Sequence, residues 1–184
     1  GLMGPSGSGK TTLLNLIAGL DSPSEGEIWV GDQEISGMSE AQLARWRTRS
    51  VGFVFQFYHL MSVLSAYRNV ELPLLLLPLS AAERKRQVLT ALEIVGLSDR
   101  IHHKPGQLSG GQQQRVAIAR AIITQPLVLL ADEPTGNLDS RRSVEIMELL
   151  TALNHDEGIT VVMVTHEPDM AAFATRTVHF RDGV

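Results

Sequence analysis

Gly4-Pro5-Ser6-Gly7-Ser8-Gly9-Lys10-Thr11, followed by the apolar run from Thr12 to Leu20, is the stretch on which the fold turns. It fits the pattern G-x-x-x-x-G-K-[ST], in which glycines let backbone N–H groups point inward around a phosphate. Lys10 is placed to reach β- and γ-phosphates, and the Thr11 hydroxyl to hold Mg²⁺. A helix starting directly behind the loop adds free N–H groups and a partial positive charge, so a polyphosphate is favoured before any side chain acts. Gly4, Pro5, Ser6, Gly7, Ser8, Gly9, Lys10, Thr11 and Thr12 are therefore the candidate phosphate-binding residues. Because the pattern arises by accident in on the order of 1% of chains this long, a plain glycine-rich turn capping a helix is the bland alternative. Later motifs decide between them.

The 184 residues fit one domain with room for a subdomain, and 43% hydrophobic residues suffice for a packed core. A net charge of −4 argues against general nucleic-acid binding. Cysteine is absent, which excludes disulfides, thiol catalysis and thiolate metal sites and is compatible with a reducing cytosol. The most apolar run, Leu72 to Leu79, is interrupted by Pro73 and Pro78. It falls far short of the roughly 20 residues a membrane span needs. A phosphate loop ordinarily follows a buried strand of about five residues, yet only Gly1-Leu2-Met3 precede Gly4. The chain is therefore expected to be a fragment without its first strands, with Gly183-Val184 marking a second truncation.

Outward from the loop, helical spacing of Leu13, Leu14, Ile17 and Ala18 predicts a helix over about 10–19. Residues 27–30 and 33–35 read as a short hairpin, and Ser39 with Gln42 as a capping box opening a helix to about Arg47. Val51 to Phe55 is a short strand ending at Gln56. Helices then dominate: Ala66 to Leu76, and Ala81 to Val95 from a Ser80–Glu83 capping box, with Leu89, Leu92, Ile94 and Val95 as its apolar face. Glu83 to Arg86 falls on its solvated side. A further helix covers about 111–123. Leu127 to Ala131 reads as a strand buried on both faces, then a helix over about 139–154 with Val144, Met147 and Leu150 along one side. Ile159 to Val164 is a second buried strand, and a helix at 168–174 and a strand at 177–180 close the chain. Polar groups gather at the carboxyl ends of the strands, where open α/β sheets bind ligands.

Two of those polar groups carry chemistry. Asp132 and Glu133 are adjacent at a strand end, so the pleat would aim them apart and permit two jobs. Asp132 would hold Mg²⁺, directly or through water, while Glu133 would face the γ-phosphate and polarise the attacking water. Leu108-Ser109-Gly110-Gly111-Gln112 is a second anion site, where a hydroxyl and the N–H groups of two glycines open a helix.

The phosphate loop, Gln56, residues 108–112, the strand ending in Asp132-Glu133, Asn137-Leu138-Asp139 and His166 stand in the order of the ATP-binding cassette (ABC) ATPases. The chain resembles that family over essentially its whole length. Phe55 to Leu60, Asn69 to Pro73 and Gln107 to Arg115 are similar to the subunits of lipoprotein-releasing and macrolide-export-type transporters. The resemblance implies an α/β P-loop NTPase: a RecA-like core over about 1–56 and 124–184, with an inserted helical subdomain over about 57–123. It further implies a head-to-tail pair of copies, with ATP and Mg²⁺ between the phosphate loop of one and Ser109, Gly110, Gly111 and Gln112 of the other. Asp139 would lie at the seam, His166 would hydrogen-bond the γ-phosphate and orient water, and Gln56 would touch the metal or water. Tyr58 to Leu64 and Leu72 to Leu79 would help form a groove for a helix of a transmembrane permease, or else pack internally. The adenine-stacking aromatic of the family falls upstream of this chain, and His59 and Ser62 stand where the family often has Asn and Pro.

The function implied is ATP hydrolysis at the cytoplasmic face of a membrane, coupled to a permease for export or lipoprotein release, with no nucleic-acid partner. The rival class is a soluble ABC ATPase clamping ribosomes or DNA. Chromosome-type heads insert long coiled coils, but only about fifty residues separate Gln56 from Ser109 and they show no sustained heptads. Translation-type members usually join two cassettes, and one is seen here. A non-hydrolysing regulatory cassette would not need both carboxylates and His166.

Overall fold

The computed structural model describes residues 1–181 and 183; Val184, where a second truncation is expected, lies outside the described residues. In chain order the elements are Leu2–Met3 (β1), Lys10–Ile17 (α1), Trp29–Val30 (β2), Gln33–Glu34 (β3), Glu40–Ser50 (α2), Val51–Phe55 (β4) and Ala66–Glu71 (α3). There follow Ala81–Ile94 (α4), Gly110–Ile122 (α5), Val128–Asp132 (β5), Ser140–Asp156 (α6), Thr160–Val164 (β6), Pro168–Ala171 (α7) and Val178–His179 (β7). Short 3₁₀ turns occupy Leu72–Leu76 and Pro105–Gln107.

Apolar alternation along β5 sets the layers. Val128 and Leu130 join Leu14 of α1, Ala18 at its C-cap, and Leu43 and Trp46 of α2 on one face of the sheet. Leu129 and Ala131 join Val116 and Ile118 of α5 with Ile146 and Leu150 of α6 on the other. A period of two thus divides one strand between two cores. Leu129 and Leu130 are fully buried, each stabilising the fold by roughly 1.5–3 kcal/mol. Gly52 of β4 lets α5 lie directly on the sheet, since a Cβ there would stand 2.4 Å from the Ala121 carbonyl oxygen.

The main sheet runs β4-β5-β6-β1-β7 with every pairing parallel, and β2-β3 form a separate antiparallel ribbon. In its register Phe55 lies opposite Asp132, Asp132 opposite Val164, and Leu2 opposite Val164. The segments beginning at Gln56, Glu133 and Thr165, and the phosphate loop after β1, therefore leave the sheet side by side. This carboxyl edge positions the site.

Several expectations are revised. The helix expected over 66–76 divides at Glu71, because Pro73 cannot donate to the Asn69 carbonyl and its ring crowds it, so the chain tightens to 3₁₀ geometry. The buried stripe of α4 is Val88, Ala91, Leu92 and Val95; Leu89 and Ile94 are exposed, because α3 and α5 both pack on the other side. In α6 the inward residues are Ser143, Ile146, Met147, Leu150 and Leu153, while Val144 faces out. Leu127 precedes β5 and is exposed. β6 is not buried throughout: Thr160 is exposed and only Met163 and Val164 are buried within it, since β1 reaches it at Leu2 alone. α7 stops at Ala171, before the expected 174.

Candidate active site at the carboxyl edge of the sheet

Between β1 and α1 the chain makes a turn that suits glycine. Gly4, Gly7 and Gly9 have φ of 155°, 78° and 98°, and a Cβ on Gly4 would meet the Phe180 carbonyl oxygen at 2.3 Å. Lys10, the first residue of α1, is buried and folds back over this turn, donating from Nζ to the Gly4 and Pro5 carbonyls at 2.8 and 2.7 Å and to Ser8 Oγ at 3.3 Å. The ammonium thus braces the loop. Among the described residues no side chain caps α1, whose N-cap is Gly9, so its first N–H groups suit an anion.

A cavity of about 540 Å³ opens over this helix start, lined by the phosphate-loop residues Gly4, Ser6, Gly7, Gly9, Lys10, Thr11 and Thr12 together with Asp132, Glu133, Val164 and His166. Pro5 and Ser8 serve the loop from outside that lining, as acceptors for Lys10. Val164, the last residue of β6, is a wall residue that motif reading passed over. Asp132 ends β5, and Glu133 leaves the strand with a left-handed φ of 46°. The two carboxylates are therefore separated by a backbone turn and not by the pleat, and both line the same cavity. The Glu133 N–H donates to the Val164 carbonyl at 3.0 Å, and its own carbonyl accepts from the Gly136 N–H at 3.1 Å, so the turn is pinned on both sides.

His166 Nδ1 lies 3.0 Å from Glu133 Oε1. An ionised carboxylate only accepts, so Nδ1 carries the hydrogen and the ring is oriented by the acid it touches. Donation to a phosphate from Nε2 at the same time requires the imidazolium form. Burial raises the pKa of Asp132 above the usual carboxylate value, the neighbouring Glu133 charge adds to this, and Lys10 works against it. The site therefore holds negative charge that a cation would relieve.

The other expected residues lie elsewhere. Gln56 does not line the cavity; its Nε2 is 3.5 Å from Asn137 Oδ1, and Asn137 Nδ2 donates to the Gln56 carbonyl at 2.9 Å. Nor do Ser109, Gly110, Gly111, Gln112 or Asp139 line it. Ser109 caps α5: its Oγ accepts from the Gln112 N–H at 3.3 Å while Gln112 Oε1 accepts from the Ser109 N–H at 2.9 Å. Asp139 caps α6 and pairs with Arg142 at 3.2 Å. The Ser109 hydroxyl hydrogen stays free in this arrangement, at a helix start open to another molecule. Motif reading also missed Arg120, which donates to the Tyr58 and His59 carbonyls and so holds two left-handed residues behind Gln56. A basic residue on the mostly buried helix α5 was the available signal, one it shares with Arg115.

Leu74 is fully buried, whereas Phe57, Met61, Val63, Leu75 and Leu76 are each more than half exposed. Leu72, Pro73 and Leu76 face Phe53, Phe55 and Arg120 across a depression of about 410 Å³. Internal packing, one of the two expected roles of these segments, thus holds for Leu74 and not for the exposed residues.

A family model described as ABC transporter matches residues 1–136. The lipoprotein-releasing system ATP-binding protein of Psychrobacter arcticus is 45% identical over 183 residues, covering 99% of this chain and 81% of the relative. The macrolide export ATP-binding/permease protein of Bdellovibrio bacteriovorus is 49% identical over 183 residues, covering 100% of this chain and 28% of that longer protein. Among solved structures, a dimeric post-hydrolysis state of the ATP-binding cassette MJ0796 of Methanocaldococcus jannaschii, bound to ADP and Pi, superposes with a TM-score of 0.87. It is 46% identical, with 99% of this chain and 80% of that one covered.

Proposed function

The chain belongs to the ABC transporter family of ATP-binding proteins, whose members are ATPases, and from that premise we propose that it hydrolyses ATP with Mg²⁺ to drive a transmembrane permease. It is the ATP-binding subunit of such a transporter, of the lipoprotein-releasing and macrolide-export type. In this reading residues about 1–56 and 124–184 form the nucleotide-binding core, and about 57–123 the helical subdomain that carries Ser109. Among the described residues no helix is long and apolar enough to cross a membrane. By analogy with the transporter relatives, the subunit would sit on the cytoplasmic face of the membrane, with a permease helix in the depression beside Leu72 and Leu76.

The phosphate loop and the start of α1 bind the β- and γ-phosphates, with Lys10 exchanging a loop carbonyl for a phosphate oxygen. Thr11 and Asp132 suit Mg²⁺: one hydroxyl and one carboxylate line the cavity, burial raises the Asp132 pKa so that a cation would favour its ionised form, and Mg²⁺ commonly takes one or two carboxylates alongside substrate phosphates. The ion would offset charge developing on the phosphoryl oxygens. Glu133 accepts the proton of the attacking water, His166 orients Glu133 and contacts the γ-phosphate, and the water displaces ADP in line. Ser109, Gly110, Gly111 and Gln112 of a second copy would close over the γ-phosphate, with that copy's Asp139 at the seam. Excluding water there strengthens every charge contact. Gln56 lies with Asn137 in this structure, so it would reach the metal only in the closed pair.

One observation carries the reading: the Glu133 carboxylate, bonded to His166, lines the same cavity as Lys10 and Thr11. Glu133→Gln removes the base and keeps the phosphate contacts. Steady-state turnover should fall on the order of 10² to 10⁴ while ATP binding persists. Unchanged hydrolysis by the intact complex would contradict the assignment.

A further inference from the structure

Gln114 is a neutral polar side chain with no exposure, on the face of α5 that also carries Gly111, Ile118 and Ala121. Its Nε2 donates to two backbone carbonyls from different strand ends, Phe55 at 3.3 Å and Pro134 at 2.5 Å. Phe55 directly precedes Gln56, and Pro134 directly follows Glu133. Both partners are acceptors, so the amide nitrogen must face them, and Oε1 is left buried with no hydrogen-bond partner among the described residues. An orphaned buried acceptor is unfavourable, and an apolar residue of similar length would avoid it. What the amide supplies at this position is its pair of donors.

Those donors complete the restraint on the turn that presents Glu133. The Glu133 N–H is held by Val164 and its carbonyl by Gly136, while the next carbonyl along the chain is held by Gln114. Glu133 has a left-handed φ that a non-glycine residue keeps only when its surroundings impose it. Gln114 also lies within the first two turns of the helix that Ser109 opens, so a displacement of that helix start is passed to both strand ends through a single amide. We propose that Gln114 is a positioning residue for hydrolysis: it fixes the Glu133 turn relative to the start of α5. This rests on Glu133 being the base.

Gln114→Met keeps length and cannot donate; Gln114→Glu, protonated in this buried place, retains one donor. In the full-length subunit with its permease, kcat should fall about tenfold for Gln114→Met and by a smaller factor for Gln114→Glu, with KM for ATP within twofold of the parent. A role limited to stability would lower the melting temperature and leave kcat per folded molecule unchanged, and that result overturns the proposal. So does a fall in kcat matched by an equal rise in KM. If Gln114→Met does not fold, Gln114→Glu decides alone: reduced kcat at parental KM supports the proposal, and parental kcat overturns it. Glu133→Gln is measured in parallel. Full turnover there removes the premise, whereas lost turnover there beside parental turnover in the Gln114 variants removes only this inference.

Discussion

The chain opens two helices on glycine-rich, anion-seeking sequences, and the two starts are built in opposite ways. At α1 the N-cap is Gly9, no side chain among the described residues satisfies the first N–H groups, and Lys10 adds a buried ammonium. At α5 the N-cap is Ser109, and a reciprocal bond pair with Gln112 already satisfies two donors. The first start opens into a cavity of its own chain, shared with Asp132, Glu133 and His166. The second is a self-sufficient helix end that can lend a hydroxyl and an uncapped N–H to a phosphate brought by another chain. In the proposed mechanism affinity would belong to the first and closure to the second.

Breaking the first should have the larger effect. Lys10→Ala removes a charged phosphate contact together with the brace over Gly4 and Pro5. A charged hydrogen bond contributes roughly 1.5 to 3 kcal/mol, so ATP affinity should fall about ten- to hundredfold. A nucleotide titration giving parental affinity would erase the distinction between the two starts. Ser109→Ala should leave ATP affinity of the separate subunit unchanged while lowering turnover of the assembled transporter. Loss of the cap should also cost about 1 kcal/mol of folding stability, measurable in urea. A fall in affinity of the separate subunit would put Ser109 in the phosphate site of its own chain.

The smallest expected effect is at Asp132, where the sign of the change is the informative part. Its carboxyl binds a proton more tightly in the folded chain than in the unfolded one, so the folded state is the more protonated between the two pKa values. The resulting penalty is absent below the ordinary carboxylate pKa and grows as pH rises through the raised one. Asp132→Asn should therefore raise the melting temperature of the nucleotide-free protein at pH 7, with the gain vanishing in acid, even as hydrolysis is lost. No gain at pH 7 would mean that the cavity does not hold uncompensated negative charge.

Local signals made much of this legible in the sequence. The capping boxes at Ser39 and Ser80 and the strand at Val51 to Phe55 depend on near neighbours, and they stand where spacing put them. The phosphate loop, Asp132, Glu133 and His166 meet in one cavity because parallel strands bring their carboxyl ends to one edge. Choosing Val88 over Leu89 as the inward residue of α4 required knowing where α3 and α5 pack. Glu133's separation from Asp132 came from a left-handed turn that a two-residue pattern does not encode. Gln114 was hidden for the same reason: its partners are backbone carbonyls 59 and 20 residues away.

In the proposed mechanism one nucleotide is held by two copies, and mixing inactive variants separates this from two self-contained sites. Lys10→Ala disables the phosphate loop; Ser109→Asp keeps an N-cap acceptor but sets a negative charge against the γ-phosphate. In a head-to-tail pair of the two, both lesions fall on one site and the other is intact. Random mixing makes half the pairs mixed, so ATPase activity should recover to about a quarter of the parental value. Activity no greater than the average of the two variants assayed alone would show that each chain completes its own site.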